Sequence, residues 1–201
     1  MTLETVESYL RENAPALWLA VFHHRTHKGV PLTFTGHEYL RAIYMDNSPN
    51  RVIIKSTQCG ISEYLIVLVM ERTMVRGRSV FYVLPTWQLQ NRFVKNRMDT
   101  TVANTPVYRS GLAEGGADKP YQAESLSMKR FGAGVVAYVG SQSRAGFTEF
   151  AADDLVIDEL DECDQDNIPM AEERLSHSIN PTRTYVGNPT FTNYGIDALY
   201  R

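Results

Sequence analysis

The sequence predicts an α/β fold in which a mainly parallel central sheet is flanked by helices, and three observations carry that prediction. An apolar run at residues 51–54 empties into a short polar loop ending on Ser62, which opens a long apolar stretch at residues 61–75. Strand and helix then alternate again at residues 79–84 and 88–100, the signature of parallel strands joined by crossover helices. Finally, Leu155-Val156-Ile157 has the composition of a strand buried on both faces and ends on two adjacent carboxylates, Asp158 and Glu159.

Taken in order, residues 2–22 read as an amphipathic helix with Leu3, Val6, Leu10, Leu17 and Val21 near one face, broken around Pro15. A polar link comes next. His23, His24 and His27 have a spacing that could bind a metal, but no Cys or partnered carboxylate accompanies them, so they read as surface histidines. Residues 35–44 are expected to be helical, with Thr35 as the cap and a stop at Asn47-Ser48-Pro49-Asn50. After the strand at 51–54 and the helix at 61–75, residues 104–123 are rich in Gly, Pro and Ala and read as a loop. Residues 126–131 and 134–140 can pair as a hairpin across Gly132-Ala133, leading to Arg144 and the carboxylate strand. A last β-prone run, 183–186, ends on Gly187-Asn188-Pro189-Thr190. It can sense a γ-phosphate through Asn188 or Thr190, or simply run into an Asn-Pro turn.

The loop Lys55-Ser56-Thr57-Gln58-Cys59-Gly60-Ile61-Ser62 departs from the usual phosphate-loop pattern, in which two glycines bracket the loop and a Lys precedes the Ser or Thr. Gly60 and Ser62 stand where that pattern puts them, but Ile61 takes the Lys position and Lys55 that of the first Gly. A lysine need only deliver its ammonium to the phosphates, and a four-carbon stem can do so from either end of the loop. The amides of the following helix would complete the anion site. An ordinary strand-turn-helix connection remains the alternative at this point. The carboxylate pair argues for the phosphate reading, since ATP hydrolysis needs one carboxylate at the Mg²⁺ and another to orient or deprotonate water.

Composition sets bounds. With 201 residues the chain can bury one sizeable core, and no uninterrupted apolar segment reaches the length of a membrane span. The N-terminus reads as lacking a charged leader and apolar signal core. Two cysteines, Cys59 and Cys163, cannot define a disulfide framework, so a reduced setting is expected. The net charge of −3 argues against a protein that coats polyanions. Arg72, Arg76, Arg78, Arg92, Lys95, Arg97, Lys129 and Arg130 could still form a local basic surface that tracks a phosphate backbone, or be solvated helix faces.

The ordered set formed by the Lys55 loop, Leu84-Pro85-Thr86, Ser127-Met128-Lys129-Arg130-Phe131, Asp158-Glu159 and Gly187-Asn188-Pro189-Thr190 resembles the ATPase domain of phage terminase large subunits of the lambda type, over roughly residues 35–190. In that type the phosphate-loop Lys is similarly displaced. The resemblance implies a P-loop NTPase fold of the RecA-like (ASCE) class and the cofactors ATP and Mg²⁺. It implies Lys55 as the phosphate lysine within a nucleotide loop of residues 55–62, Ser62 and Asp158 at the Mg²⁺, Glu159 as the catalytic carboxylate, and Gly187, Asn188, Pro189 and Thr190 as the segment coupling hydrolysis to movement. Arg144, in Ser143-Arg144-Ala145-Gly146, is similar to the family's arginine finger, although an Ala separates it from the Gly; an exposed surface Arg is the other reading. The stretch before the loop would form the adenine pocket, making His37, Tyr39 and Tyr44 candidates, with core packing expected for at least one tyrosine.

For the whole protein the resemblance implies a packaging motor that moves double-stranded DNA into a procapsid in the host cytoplasm. Its expected partners are a small terminase subunit, a portal protein and further copies in a ring, with no membrane. Residues 1–33 are expected to be a helical segment and 34–201 the ATPase domain, with an endonuclease domain of the parent protein lying beyond. Two rivals are a helicase-like ATPase and a binding module with a decayed nucleotide site. A third treats Asp153, Asp154, Asp158, Glu159, Asp161 and Glu162 as a metal nuclease centre, which a contiguous run makes the weakest, because such carboxylates converge from separate elements.

Overall fold

The computed structural model describes residues 2–114, 126–148 and 150–201. Its centre is a six-stranded sheet: β1 (Asn50–Ile54), β2 (Ser79–Leu84), β3 (Met128–Phe131), β4 (Gly134–Gly140), β5 (Asp154–Ile157) and β6 (Thr182–Gly187). The order across the sheet is β1-β6-β5-β2-β4-β3. All neighbours are parallel except the β3–β4 hairpin, where Phe131 faces Gly134. The α/β class and the hairpin are as the sequence predicts.

Parallel strands need crossovers, and these cover both faces. On β2 the period of two sends Val80, Tyr82 and Leu84 into one core and Phe81 and Val83 into the other. The first core is filled by α4 (Ile61–Met70), in which every residue from Glu63 to Met70 is buried, and which continues through a π-helical turn at Glu71–Val75. Truncating one of its large side chains, such as Leu65, to Ala would cost about 2–5 kcal/mol. Among the described residues no helix is long and apolar enough to cross a membrane.

Several expectations need correcting. The first helix is two, α1 (Leu3–Asn13) and α2 (Pro15–Phe22), as the Pro15 break predicts. The apolar positions do not share a buried face, however: α1 buries nothing and Leu3 and Val21 are exposed, while α2 buries Leu17, Trp18, Leu19 and Ala20 in the α4 core. The break at Ala14 (φ −145°, ψ 63°) resets the helical phase, so a stripe drawn through both halves has no physical continuity. Thr35 caps no helix. Gly36 takes φ +76°, which a right-handed helix cannot hold, so residues 35–39 form turns and α3 is only Leu40–Met45.

The second crossover runs as α5 (Trp87–Phe93), capped by the Thr86 hydroxyl accepting from the Leu89 amide at 3.2 Å, then a π-helical stretch, Val94–Asp99, and α6 (Thr100–Asn104). The expected loop at 104–123 instead holds α7 (Pro106–Glu114), opened by a proline where the missing N–H is harmless and anchored by fully buried Tyr108. Residues 115–123 of that expected loop lie outside the described residues. Two short helices, α8 (Ile168–Glu173) and α9 (Gly195–Tyr200), complete the chain.

Candidate active site

The candidate residues gather at the carboxyl ends of β1, β5 and β6, where open parallel sheets present ligand sites. Residues 55–60 form the whole connection from β1 to α4. Gly60 has φ +83°, a left-handed conformation that favours glycine, and a Cβ there would also press on the Leu40 Cδ1 methyl at 2.8 Å. The Lys55 amide donates to Gly187 O at 2.9 Å, extending the β1–β6 pairing by one residue and fixing where the lysine leaves the strand.

From there the Lys55 ammonium donates to Asp158 Oδ1 at 3.1 Å and to Glu159 Oε1 at 2.8 Å, so residues more than a hundred positions apart meet at one end of the sheet. Asp158 is buried, and its second oxygen accepts from the Tyr82 hydroxyl at 3.2 Å. Burial pushes the Asp158 carboxyl above its ordinary value, with Lys55 opposing. Burial likewise works against the charged lysine, but Asp158 and Glu159 outweigh it and hold Lys55 above its ordinary value. Glu159 differs from Asp158: its side chain is 43% exposed and its backbone is left-handed (φ +56°), turning the chain into the 3₁₀ turn Leu160–Glu162. One carboxylate is thus fixed and the other reaches solvent.

Ser62 is half-buried in the first turn of α4, where the amides of Ile61 and Ser62 have no helical acceptor and can face an anion. Mg²⁺ takes oxygen ligands and usually keeps waters and phosphate oxygens beside one or two protein groups. A serine hydroxyl and one buried carboxylate suit that demand. Among the described residues no three His, Cys, Asp or Glu side chains form a protein-only metal site, and the acidic run is dispersed: Asp154 lies at the far end of β5 from Asp158.

Tyr39 donates its hydroxyl to Cys59 O at 2.7 Å, leaving its oxygen to accept from His37 Nδ1 at 3.0 Å. Both residues therefore stand at the loop with exposed or half-exposed rings. Tyr44 does not join them; it packs edge-on against Phe34 and Tyr64 in the core. Arg144 sits exposed on the 3₁₀ turn Arg144–Phe147, which is anchored by Phe147 against Phe81. Among the described residues it has no hydrogen bond or ion pair, so nothing ties it to the carboxylates of its own chain. The Cys163 thiol is buried and pushed up to about 12 by burial, so it is no reactive thiolate.

Other assignments fail for one shared reason, that a partner converges from elsewhere in the chain. His24 is buried: its Nε2 lies 3.0 Å from Glu63 Oε2 and its Nδ1 3.2 Å from the Tyr108 hydroxyl. His27 Nδ1 is 3.0 Å from the other Glu63 oxygen, which also accepts from Arg97 at 3.2 Å. These are not free surface histidines. The proposed basic surface is likewise divided. Lys129 is buried on Asp99 at 2.8 Å, and Arg72 is buried between Glu71 and Asp154. The sequence alone gives Tyr82 and Glu63 no role and Asp161 only a place in the nuclease alternative. Of the three, only Asp161 carries a local signal, as the last member of Asp158-Glu159-Leu160-Asp161.

Comparison with known proteins adds an independent line. Residues 36–201 match the family model described as phage terminase large subunit gpA, ATPase domain. Among solved structures, the chain is similar to the HK97 bacteriophage large terminase, with a TM-score of 0.73 at 9% identity over 92% of this chain and 39% of that one. It is similar to the Thermus phage P74-26 large terminase ATPase domain, with a TM-score of 0.59 at 16% identity over 80% and 69%. It also resembles the large terminase of a thermophilic bacteriophage, at 0.52 and 11% over 77% and 37%. At such identities these likenesses show the fold, and the chain spans well under half the length of the first and last of these proteins. Comparison with curated protein sequences gave no match.

Proposed function

The chain belongs to the family of phage terminase large subunit gpA ATPase domains, and we propose that it hydrolyses Mg-ATP to drive double-stranded DNA into a procapsid. The observation that carries this reading is the bridge from Lys55 to Asp158 and Glu159, which joins a displaced phosphate lysine to both carboxylates that the reaction requires.

The loop amides and the amino end of α4 cradle the phosphates, and Lys55 exchanges a carboxylate for the β- and γ-phosphates. A flexible ammonium makes that exchange readily, because it carries point charge rather than a fixed fork. Ser62 and Asp158 would hold the Mg²⁺, which would supply positive charge against the charge developing on the phosphates. Lys55 leaving Glu159 frees that carboxylate to orient a water and accept its proton as the water oxygen bonds to the γ-phosphorus. The bond from that phosphorus to the ADP oxygen then breaks. His37 and Tyr39 flank the base, and Gly187 to Thr190 pass the change onward.

Arg144, exposed and unpaired among the described residues, suits a finger offered to a neighbouring copy in a ring. The small terminase subunit and the portal are the expected assembly partners, the host cell is the setting, and an endonuclease belongs to the parent protein. Calorimetry with Mg-ATP and steady-state hydrolysis on the wild type, Lys55→Ala and Glu159→Gln test the reading. Binding lost in the first variant, and binding kept with turnover down about a thousandfold in the second, is expected. Unchanged turnover in Lys55→Ala would overturn the assignment.

A further inference from the structure

We infer that Asp161 is a positioning residue that ties the carboxylate turn to the segment after β6, so that displacement of Glu159 is carried to Thr190 and to the start of α9. The inference rests on the ATPase reading above and names the physical link through which its site would act.

Asp161 is 8% exposed, and its carboxylate is divided between two points of the same downstream segment. Oδ1 accepts from the Thr190 amide at 3.1 Å and the Thr190 hydroxyl at 3.3 Å. Oδ2 accepts from the Ile196 amide at 3.1 Å. No cation pairs with it among the described residues, so amide and hydroxyl donors carry its charge. Two glycines make the room: a Cβ on Gly187 would lie 2.9 Å from Oδ2, and one on Gly195 would lie 2.7 Å from Cγ. With no Cβ in the way, the carboxylate reaches all three donors, and those bonds tie the turn to the segment.

Both ends of the link lead to the site. Upstream, one tight turn separates Asp161 from Glu159, closed by Glu162 N donating to Glu159 O at 2.9 Å. Downstream, β6 ends at Gly187, whose carbonyl holds the Lys55 amide. Asn188, Pro189 and Thr190 are otherwise exposed, as are Phe191 and Tyr194, whose rings meet edge-on at 6.1 Å. An exposed segment with few buried contacts is soft on its own. Asp161 fixes it to the catalytic turn at Thr190 and Ile196. When Lys55 exchanges Glu159 for phosphate, the turn is released at one end while Asp161 still grips the segment at the other. Coupling of this kind requires an element whose arrangement both sites bias, and residues 188–196 are that element.

The experiment compares wild type with Asp161→Asn, using the non-hydrolysable Mg-AMPPNP as probe. Amide exchange across residues 188–196 is followed alongside calorimetric binding and steady-state hydrolysis. In the wild type, nucleotide is expected to change exchange of the Thr190 and Ile196 amides about tenfold, as expected for a change in charge-assisted bonds. In Asp161→Asn the probe should bind within about threefold of wild type, with the exchange response lost. Its kcat should fall about tenfold with KM held within about twofold, a split that a merely structural brace would not produce. Thr190→Val keeps the amide bond and serves should the first variant fail to fold; it should weaken response and kcat about threefold. A response that survives in Asp161→Asn, a Thr190→Val protein indistinguishable from wild type, or a wild-type segment that ignores bound nucleotide would each overturn the inference and leave the ATPase reading standing. Failure of the wild type to bind nucleotide would overturn both.

Discussion

Strand β5 carries an aspartate at its amino end and another just past its carboxyl end, and the two ends use them in opposite ways. At the amino end Asp154 meets guanidinium groups: Arg78 Nε donates to it at 2.6 Å, Arg72 Nε lies 3.4 Å away, and the Thr182 hydroxyl also bonds it. Neighbouring Glu71 pairs with Arg72 and Arg76. Three arginines thus serve two buried carboxylates, and Arg78 spends a further amine on the carbonyls of Asp153 and Asn180. At the carboxyl end a single lysine is shared between Asp158 and Glu159, with Glu159 open to solvent. Rigid, over-supplied forks make a staple; one flexible ammonium between two carboxylates leaves negative charge in excess, where a cation can be drawn in and the lysine drawn away. Ion pairs of similar length therefore form a closed staple at one end of a strand and a pair open to exchange at the other.

The largest effect should come from breaking the staple. Asp154→Ala strands buried guanidinium groups and is expected to lower unfolding free energy in urea by about 3–5 kcal/mol, with Mg-ATP hydrolysis per folded molecule changed little. Comparable losses of activity and stability would erase the contrast between the two ends. Next, Lys55→Arg gives the carboxyl end the chemistry of the amino end. A fork locked on both carboxylates should cut kcat/KM about a hundredfold, about 2.7 kcal/mol, while thermal stability holds or rises. Near-normal turnover would show that the exchange needs no flexible ammonium.

The Glu63 cluster offers an intermediate case, since it lies beside Ser62 yet is built as a staple. Burial would raise its carboxyl, but hydrogen bonds with His24 and His27 outweigh that and hold it below its ordinary 4.5. A depressed carboxylate gives stability that is complete above its unfolded value and lost as pH falls through the folded one. Acid titration of the unfolding midpoint should therefore drop more steeply below pH 4.5 in wild type than in Glu63→Gln, whose stability at neutral pH should be lower by about 2 kcal/mol. Parallel titration curves would remove Glu63 from the account. The smallest effect belongs to Tyr39→Phe, which loses only the hydroxyl's bonds to Cys59 O and His37 on an exposed ring; KM for ATP should rise about twofold with kcat unchanged. A larger change would show that the hydroxyl, and not only the ring beside the base, takes part in binding.

Much of the site was legible because its signals are local. Lys55, Gly60 and Ser62 occur within eight residues, Asp158 and Glu159 adjoin one apolar strand, and parallel topology brings strand ends of that kind together. The charged staples were illegible for the same reason in reverse. A His, Arg or Lys in sequence gives polarity but not whether a carboxylate awaits it 39 or 76 residues away, as Glu63 does for His24 and Asp154 for Arg78. One helix edge failed where a single backbone angle decided it, at Gly36, since glycine is compatible with several conformations.

By itself the sequence determined the strand-helix alternation, the parallel sheet and the order of the motif residues, because hydrophobic period and turn chemistry act over a few residues. Tertiary structure alone decided which charges are neutralised and which stay available: Asp154 saturated, Asp158 and Glu159 sharing one lysine, Asp161 divided between Thr190 and Ile196. That choice depends on distances between segments remote in sequence, and electrostatic attraction in a buried setting depends on those distances and on the water excluded around them.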